Sequence, residues 1–255
     1  MASAERPQGV QVPPVSSPNA TVPLADVQLL YEEGPCLVVC KPGGLLTQAP
    51  PGIDSLELRV KRLLAGRAGA PPQIYLGVPH RLDRPASGAL VLATTRRATR
   101  RLAEQFEGRL VSKCYWALVE GQVAPAEGVW SDFLRKVPDQ ACAEIVEPSH
   151  RDARLAELRY RVLSQGRDFT CLEIDLLTGR THQVRVQAAT RGHPILGDEQ
   201  YGSRTAFGPQ AVDPRERWIA LHARHLSFAH PRSRQPVEVA APLPSCWDAY
   251  GAAGQ

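Results

Sequence analysis

At 255 residues, with 43% hydrophobic and 22% charged residues and a formal net charge of +4, the chain has the make-up of a globular protein of one large or two small domains. No run of roughly eighteen apolar residues occurs, and the N-terminus lacks the basic and apolar regions of a signal peptide, so the expectation is a cytoplasmic protein without a membrane span. Twenty-six of the thirty basic residues are arginine and four are lysine; arginine's planar fork suits phosphate and stacks on bases, although a GC-rich gene produces the same bias, so bulk charge does not separate the two readings.

In chain order, residues 1–26 hold five prolines among Ser, Asn, Gln and Gly and read as a flexible tail. Order is expected to begin near Val27, with a Gly34-Pro35 turn and a strand over 36–40 that Lys41-Pro42-Gly43-Gly44 ends. The spacing of Leu56, Val60, Leu63 and Leu64 predicts a helix over 55–64. A Gly/Ala/Pro linker at 66–72 leads to His80-Arg81-Leu82-Asp83, then Ser87-Gly88 and the apolar strand 89–93. Thr95 is predicted to cap a helix reaching Glu107 and stopped by Gly108, with Ala98, Leu102 and Phe106 inward. Arg96, Arg97, Arg100 and Arg101 fall on its other side, a solvated face first and an RNA-backbone contact second. Strands follow over 114–119, 155–163 and 169–177, the last two joined at Gln165-Gly166. A helix over 183–190 ends at Gly192, and strand-like segments cover 218–228 and 237–239. With no repeat and no regular βαβ alternation, the fold class is α+β: a mixed, mainly antiparallel sheet flanked by helices and loops. The expected organisation is a tail over 1–26, a catalytic domain over 27–245 and a C-terminal tail over 246–255.

Two dense segments carry chemistry that packing does not explain. Asp83 stands two residues after Arg81 and just before a buried strand, where a carboxylate is fixed on a rigid element. A structural ion pair is the plainer reading of such an aspartate. Protein kinases also use a His-Arg-Asp loop, but this chain lacks their downstream Asn, Gly-rich loop and Asp-Phe-Gly triplet. The second segment is Thr178-Gly179-Arg180-Thr181-His182-Gln183-Val184-Arg185-Val186, leading into Gly192-His193-Pro194-Ile195-Leu196-Gly197-Asp198. The six cysteines are scattered, mostly within apolar runs, and read as buried thiols. Cys36-x3-Cys40 with His222-x2-His225 has the outline of a zinc set, but an alternating strand would point both cysteines along one face as packing residues, so no metal is expected.

Taken in order, these motifs resemble the RluA-like pseudouridine synthases. His80-Arg81-Leu82-Asp83-Arg84-Pro85-Ala86-Ser87-Gly88 matches the segment that carries that family's catalytic aspartate, with Ala86 where threonine is usual and Ala89 where leucine is usual. Lys41-Pro42-Gly43-Gly44 is similar to its early Lys-Pro-x-Gly segment, and Lys113-Cys114-Tyr115 to its Lys-x-Tyr motif. The segment 178–186 resembles its third motif, and 192–202, Leu221-His222-Ala223 and His230-Pro231 also fit. The resemblance covers residues 27–245. It implies a pseudouridine synthase-like fold without the family's frequent S4 domain, and an isomerase acting on structured RNA, ribosomal or transfer. It further implies Asp83 as nucleophile, Tyr115 against the target base and Arg185 paired with Asp83. Arg81, expected to fill the gap left by the flipped base, His80, Ile195 as a second wall and Arg180 are the expected substrate-binding residues.

The chemistry agrees on its own terms. Converting uridine to pseudouridine breaks one C1′–N bond and forms a C1′–C5 bond, with no net redox change, so no cofactor is expected. A carboxylate nucleophile divides the exchange into two easier steps, and a neighbouring guanidinium favours its charged form. The target must leave its stack, and an aromatic wall suits an extruded base. His80 and His182 are read as loop-shaping residues, outside the catalytic set. A catalytically silent RNA-binding protein and a base glycosylase releasing free uracil are the alternatives; joint retention of Asp83, Tyr115 and Arg185 argues against the first, and retention of uracil in the chain would argue against the second. No obligate protein partner is expected, and a monomer is the default.

Overall fold

The computed structural model describes residues 27–251. The proline-rich segment 1–26 lies outside the described residues, as do 252–255. Ten strands form one sheet: β1 (Gln28–Glu33), β2 (Cys36–Lys41), β3 (Ser87–Ala93), β4 (Ser112–Glu120), β5 (Glu127–Lys136), β6 (Ala143–Ile145), β7 (Arg154–Gln165), β8 (Phe169–Leu176), β9 (Leu221–Ala229) and β10 (Pro236–Ala240). Their order is β1-β2-β3-β9-β4-β8-β7-β5-β6, with β10 on β9. All pairings are antiparallel except β3 with β9. Three helices flank the sheet: α1 (Leu56–Ala65), α2 (Arg96–Glu107) and α3 (Gln183–Thr190).

Side-chain alternation explains the layering of the first half. Leu37, Val39, Leu90 and Leu92 point to one face, where Leu56, Val60 and Leu64 of α1 cover them. Cys36, Val38, Ala89, Val91 and Ala93 point to the other, beneath Ala98 and Leu102 of α2. Strands buried on both faces read as continuous apolar runs, as β2 and β3 do. Both helix starts fit their sequence signals: Ser55 Oγ accepts from Leu58 N, and Thr95 Oγ1 accepts from Ala98 N. In the second half, β4, β7 and β8 bury Trp116, Leu118, Leu158, Leu172 and Ile174 against Val184 and Ala188 of α3.

The halves join where β3 runs parallel to β9 over two residue pairs, Ser87 with His222 and Gly88 with Ala223. Gly88 has φ +118°, and a Cβ there would stand 2.4 Å from the Ala223 backbone, so only glycine fits. His222 is fully buried; its Nδ1 lies 2.8 Å from Ser87 Oγ and its Nε2 3.3 Å from the Ala241 carbonyl. Those contacts occupy the histidine considered for a metal set, and burial pushes its pKa down to about 4. The six cysteines are free of disulfides. No helix among the described residues is long and apolar enough to cross a membrane.

Three expectations change. The strand expected from 218 starts at Leu221, because residues 194–196 and 220 extend the ladder beside β4 as a loop. β5 and β6 were not anticipated at all. The C-terminal tail expected from 246 is corrected: Ser245–Tyr250 form a 3₁₀ turn, and Trp247 is wholly buried with its ring 5.7 Å from that of Phe207.

Trp247→Ala should therefore cost about 3–5 kcal/mol in urea unfolding; a change below about 1 kcal/mol would mean that the segment does not belong to the core. His222 stays neutral in the folded state, so its contribution is present above the ordinary histidine pKa and is lost as pH falls toward 4. Wild type should exceed His222→Gln in stability most at pH 7, with the gap shrinking by about 3 kcal/mol by pH 4. A pH-independent gap would show that His222 titrates in the fold as it does in the unfolded chain, and a gap that widens as pH falls would show that the fold holds it protonated.

Candidate active site

The loop 80–86 is held rigid on both sides of Asp83. Thr47 Oγ1 donates to the Leu82 carbonyl at 3.0 Å and accepts from Leu82 N at 3.3 Å. Lys41, fully buried at the end of β2, donates through Nζ to the carbonyls of Pro42, Leu45 and Arg84. Burial pushes its ammonium pKa down to about 7, against the pull of Asp83's charge. Ala86 N closes a turn onto the Asp83 carbonyl at 3.2 Å, and Ile219 N donates to the Pro85 carbonyl. With both neighbours fixed by buried donors, Asp83 projects from a defined backbone position.

Arg185, the third residue of α3, faces it. One guanidinium edge makes a two-point contact with Asp198, Nε to Oδ2 at 2.7 Å and Nη2 to Oδ1 at 2.8 Å. Nη2 also donates to Gln200 Oε1 at 2.8 Å, and the guanidinium carbon lies 4.9 Å from the centre of the Tyr201 ring. The remaining Nη1 is 3.5 Å from Asp83 Oδ2. The carboxylates of Asp198 and Asp83 hold the Arg185 pKa above its ordinary value despite burial. His182, in a left-handed conformation at φ +52°, places Nε2 3.8 Å from Asp83 Oδ1, and its Nδ1 lies 2.9 Å from the Tyr201 hydroxyl. Gln183 shapes this approach by accepting from the Thr178 hydroxyl and Arg180 N while donating to the Glu157 carbonyl.

Two cavities, of about 590 and 440 Å³, meet at Asp83, His182 and Arg185. The smaller is walled by Tyr115, Leu221 and Phe106, and Lys113, Arg109 and Arg180 also line it. A bulge in the β4–β9 pairing next to Tyr115, where Arg224 of β9 is skipped, turns the strand at this point. Burial and the negative charge of Asp83 raise the Tyr115 pKa, so its hydroxyl stays protonated and makes no hydrogen bond among the described residues. Burial and the neighbouring Arg109 lower the Lys113 pKa. The site thus combines one carboxylate reachable from both cavities, an aromatic wall and a cationic rim.

The sequence-derived residues fall into place unevenly. Asp83, Tyr115, Arg185, Arg81, His80 and Arg180 all line the smaller cavity. Arg81 is exposed and its side chain makes no hydrogen bond or ion pair among the described residues. His80 contributes a ring face, stacked on Phe106 at 4.2 Å, while its Nε2 accepts from Val91 N and burial holds its pKa down at about 3. Arg180 Nε is spent on the Leu155 carbonyl. Ile195 is corrected: it is fully buried, bridges to Val119 in the core and lines neither cavity, and the aliphatic wall is made by Leu221 with Leu82, Leu176, Leu177 and Val184. Sequence reasoning set His182 aside and missed Asp198, Thr47 and Leu221 as site residues. For His182 and Asp198 the available signal was membership of the second dense segment; Thr47 carried none, since contacts 35 or more residues apart, such as Thr47 to Leu82, leave no local pattern.

A family model described as RNA pseudouridylate synthase matches residues 35–190. The chain is 33% identical over 233 residues to the ribosomal large subunit pseudouridine synthase C of Vibrio vulnificus, covering 90% of this chain and 70% of the relative. It is 34% identical to an uncharacterized RNA pseudouridine synthase of Bacillus subtilis, covering 90% of this chain and 74% of the relative. Among solved structures, human RNA pseudouridylate synthase domain containing 1 superposes with a TM-score of 0.68 at 26% identity, covering 90% of this chain and 87% of that one. Human RNA pseudouridylate synthase domain containing 4 gives 0.66 at 26% identity, covering 86% and 89%.

The geometry separates the two carboxylates experimentally. Asp198→Asn removes the close partner of a buried guanidinium and should cost about 3–5 kcal/mol in urea unfolding, whereas Asp83→Asn should change stability by less than about 1 kcal/mol. Equal losses would identify Asp83 as a structural ion-pair residue.

Proposed function

The chain belongs to the RNA pseudouridylate synthase family, and on that premise we propose that Asp83 is the nucleophile by which it isomerises uridine in structured RNA. The observation that carries the reading is the position of Asp83 at the junction of both cavities, with Arg185 Nη1 at 3.5 Å and Tyr115 on the wall. A flipped uridine in the smaller cavity would lay its uracil against Tyr115 and Leu221. The Asp83 carboxylate attacks C1′, and the C1′–N1 bond breaks with its electron pair leaving on the uracil. The base turns, C5 attacks C1′ and the carboxylate departs with its bonding pair. C5 then loses its proton and N1 gains one, so the product is an isomer and the carboxylate is regenerated.

Each neighbour has a proposed part. Arg185 sets its guanidinium beside the Asp83 carboxylate, placed to meet the charge that returns to it when the sugar ester breaks. Tyr115, held protonated, is suited to stack and to donate to the displaced base, and unsuited to act as a base in its resting state. Arg81, unpaired at the rim, is free to enter the space the uridine vacates. Lys113, Arg109 and Arg180 are placed to hold phosphates beside the target nucleotide. Several similar proteins are named for the large ribosomal subunit, which makes that RNA the first to test, with transfer RNA second. The chain is taken to act as a monomer in the cytoplasm.

Carbodiimide-dependent primer-extension stops mapped across total RNA test this reading. At least one stop should vanish on deletion of the gene, return with wild type and stay absent with Asp83→Ala. Survival of every stop on deletion, or restoration by Asp83→Ala, would transfer the case to a silent RNA-binding role. Tyr115→Phe keeps the ring and loses the hydroxyl; it should lower the single-turnover rate by about 10²-fold or more with RNA affinity nearly unchanged.

A further inference from the structure

Far from Asp83, at the other end of β3, several arginines converge without acidic partners. Asp83 precedes the start of the seven-residue strand, and Thr94 and Thr95 follow its end, so the two regions are roughly 23 Å apart at about 3.3 Å per residue. There a shallow cavity of about 610 Å³ is lined by Arg97 and Arg101 of α2 and by Arg232 of the β9–β10 turn. Arg100 and Arg234 stand close enough that, after burial, they and Arg97 lower the Arg101 pKa. The side chains of Arg97, Arg232 and Arg234 are exposed and make no ion pair or hydrogen bond among the described residues. The nearby acids are engaged: Glu104 pairs with Arg100 at 3.5 Å, and Glu33 accepts from the Tyr31 hydroxyl at 2.8 Å.

This charge is mounted on a rigid frame. Gln105 of α2 donates to the Ala229 carbonyl at 2.9 Å and accepts from Ala229 N at 2.8 Å, and Arg101 Nη1 donates to the Pro231 carbonyl at 2.8 Å. Buried His230 forms the hub of the turn: its Nδ1 accepts from Arg232 N and Ser233 N, and its Nε2 donates to the Glu33 carbonyl. The helix and the turn are therefore bolted together, and their arginines keep a fixed spacing. The arrangement also runs against local stability. Arg96 and Arg97 sit in the first turn of α2, which holds no acidic residue, where the helix dipole favours anions. Arg96 is compensated by the Tyr75 ring, 5.6 Å from its guanidinium carbon, whereas Arg97 has no such contact, and a local rule left broken is expected at a functional surface.

We propose that Arg97, Arg232 and Arg234, supported by Arg101, form a second RNA-contacting surface that grips phosphates of the same structured RNA whose uridine reaches Asp83. The inference rests on the RNA reading above and extends it: the substrate must be large enough to span both places, so recognition draws on the shape of a folded RNA beyond the target loop. Guanidinium forks match phosphate oxygens and carry no base preference, so this surface supplies affinity and orientation, leaving sequence choice to the cavities.

The test is filter binding of the full chain to an unmodified large-subunit ribosomal RNA transcript across a salt series. Four proteins are compared: wild type, Arg97→Ala/Arg232→Ala/Arg234→Ala, the same three positions changed to Lys, and a charge-matched control with the exposed Arg151, Arg154 and Arg167 changed to Ala. Loss of the three contacts should weaken binding by about tenfold at low salt and flatten the slope of log affinity against log salt by about two. The Lys variant and the control should stay near wild type. Unchanged affinity and slope in the Ala variant would overturn the surface, and an equal loss in the control would overturn it by reducing the effect to net charge. Salt-independent binding by wild type would overturn the surface alone, and absence of any binding by wild type would overturn the RNA reading along with it.

Discussion

The guanidinium of Arg185 is buried and divided between two carboxylates, and the site depends on how that division is made. Its Nε and one Nη belong to Asp198 at 2.7 and 2.8 Å, while the other Nη reaches Asp83 at 3.5 Å. A buried charge with one partner removed is costly, and a long side chain without a fixed partner would not keep one geometry. Asp198 therefore serves as the anchor that lets Arg185 face Asp83 without closing tightly on it. A looser contact leaves the Asp83 oxygens open to the two cavities. Gln200 and Tyr201, on the same turn as Asp198, hold the guanidinium from its other sides.

The two carboxylates come from opposite halves of the sheet, which explains the unusual join between them. β3 and β9 share only two parallel pairs, and Gly88 and the Ser87–His222 contact fix them at the mouth of the site. Lys41 and Thr47, from the first half, lock the residues on either side of Asp83. Gln183 and Thr178, from the second half, lock the entry to α3. The placement of Asp83 relative to Arg185 is thus set by backbone-directed hydrogen bonds from buried polar side chains, with the cationic rim left to Arg81, Arg109 and Lys113.

Much of this was legible in sequence, for reasons that differ by element. The cap at Thr95, the spacing of Leu56, Val60 and Leu64 and the apolar runs of β2 and β3 are local signals, and they fixed those elements closely, with Ser55 becoming the cap of α1. β5 escaped because Trp130 and Leu134 are its only fully buried side chains, four residues apart, so the strand carries no clear alternation. Trp247 escaped because two aromatics, Trp247 and Tyr250, in a short Pro- and Gly-flanked segment give no periodicity, and only the tertiary pocket beside Phe207 reveals the burial of Trp247. Within the site, Asp83, Tyr115 and Arg185 were found through motif order. Ile195 was misplaced because its neighbours 194 and 196 bond to β4 and turn it into the core. His182 was discounted as a loop residue, yet its positive φ and its contact with Tyr201 aim it at Asp83.

The division of Arg185 is tested most directly by single-turnover conversion of saturating substrate RNA by Asp83→Ala, Asp198→Asn and the double variant, at a temperature where circular dichroism finds all three folded. If Asp198 acts only by holding Arg185 toward Asp83, Asp198→Asn slows conversion by about tenfold or more at nearly unchanged RNA affinity, and the double variant is no slower than Asp83→Ala. Full activity in Asp198→Asn, or a further loss in the double variant, would contradict the account.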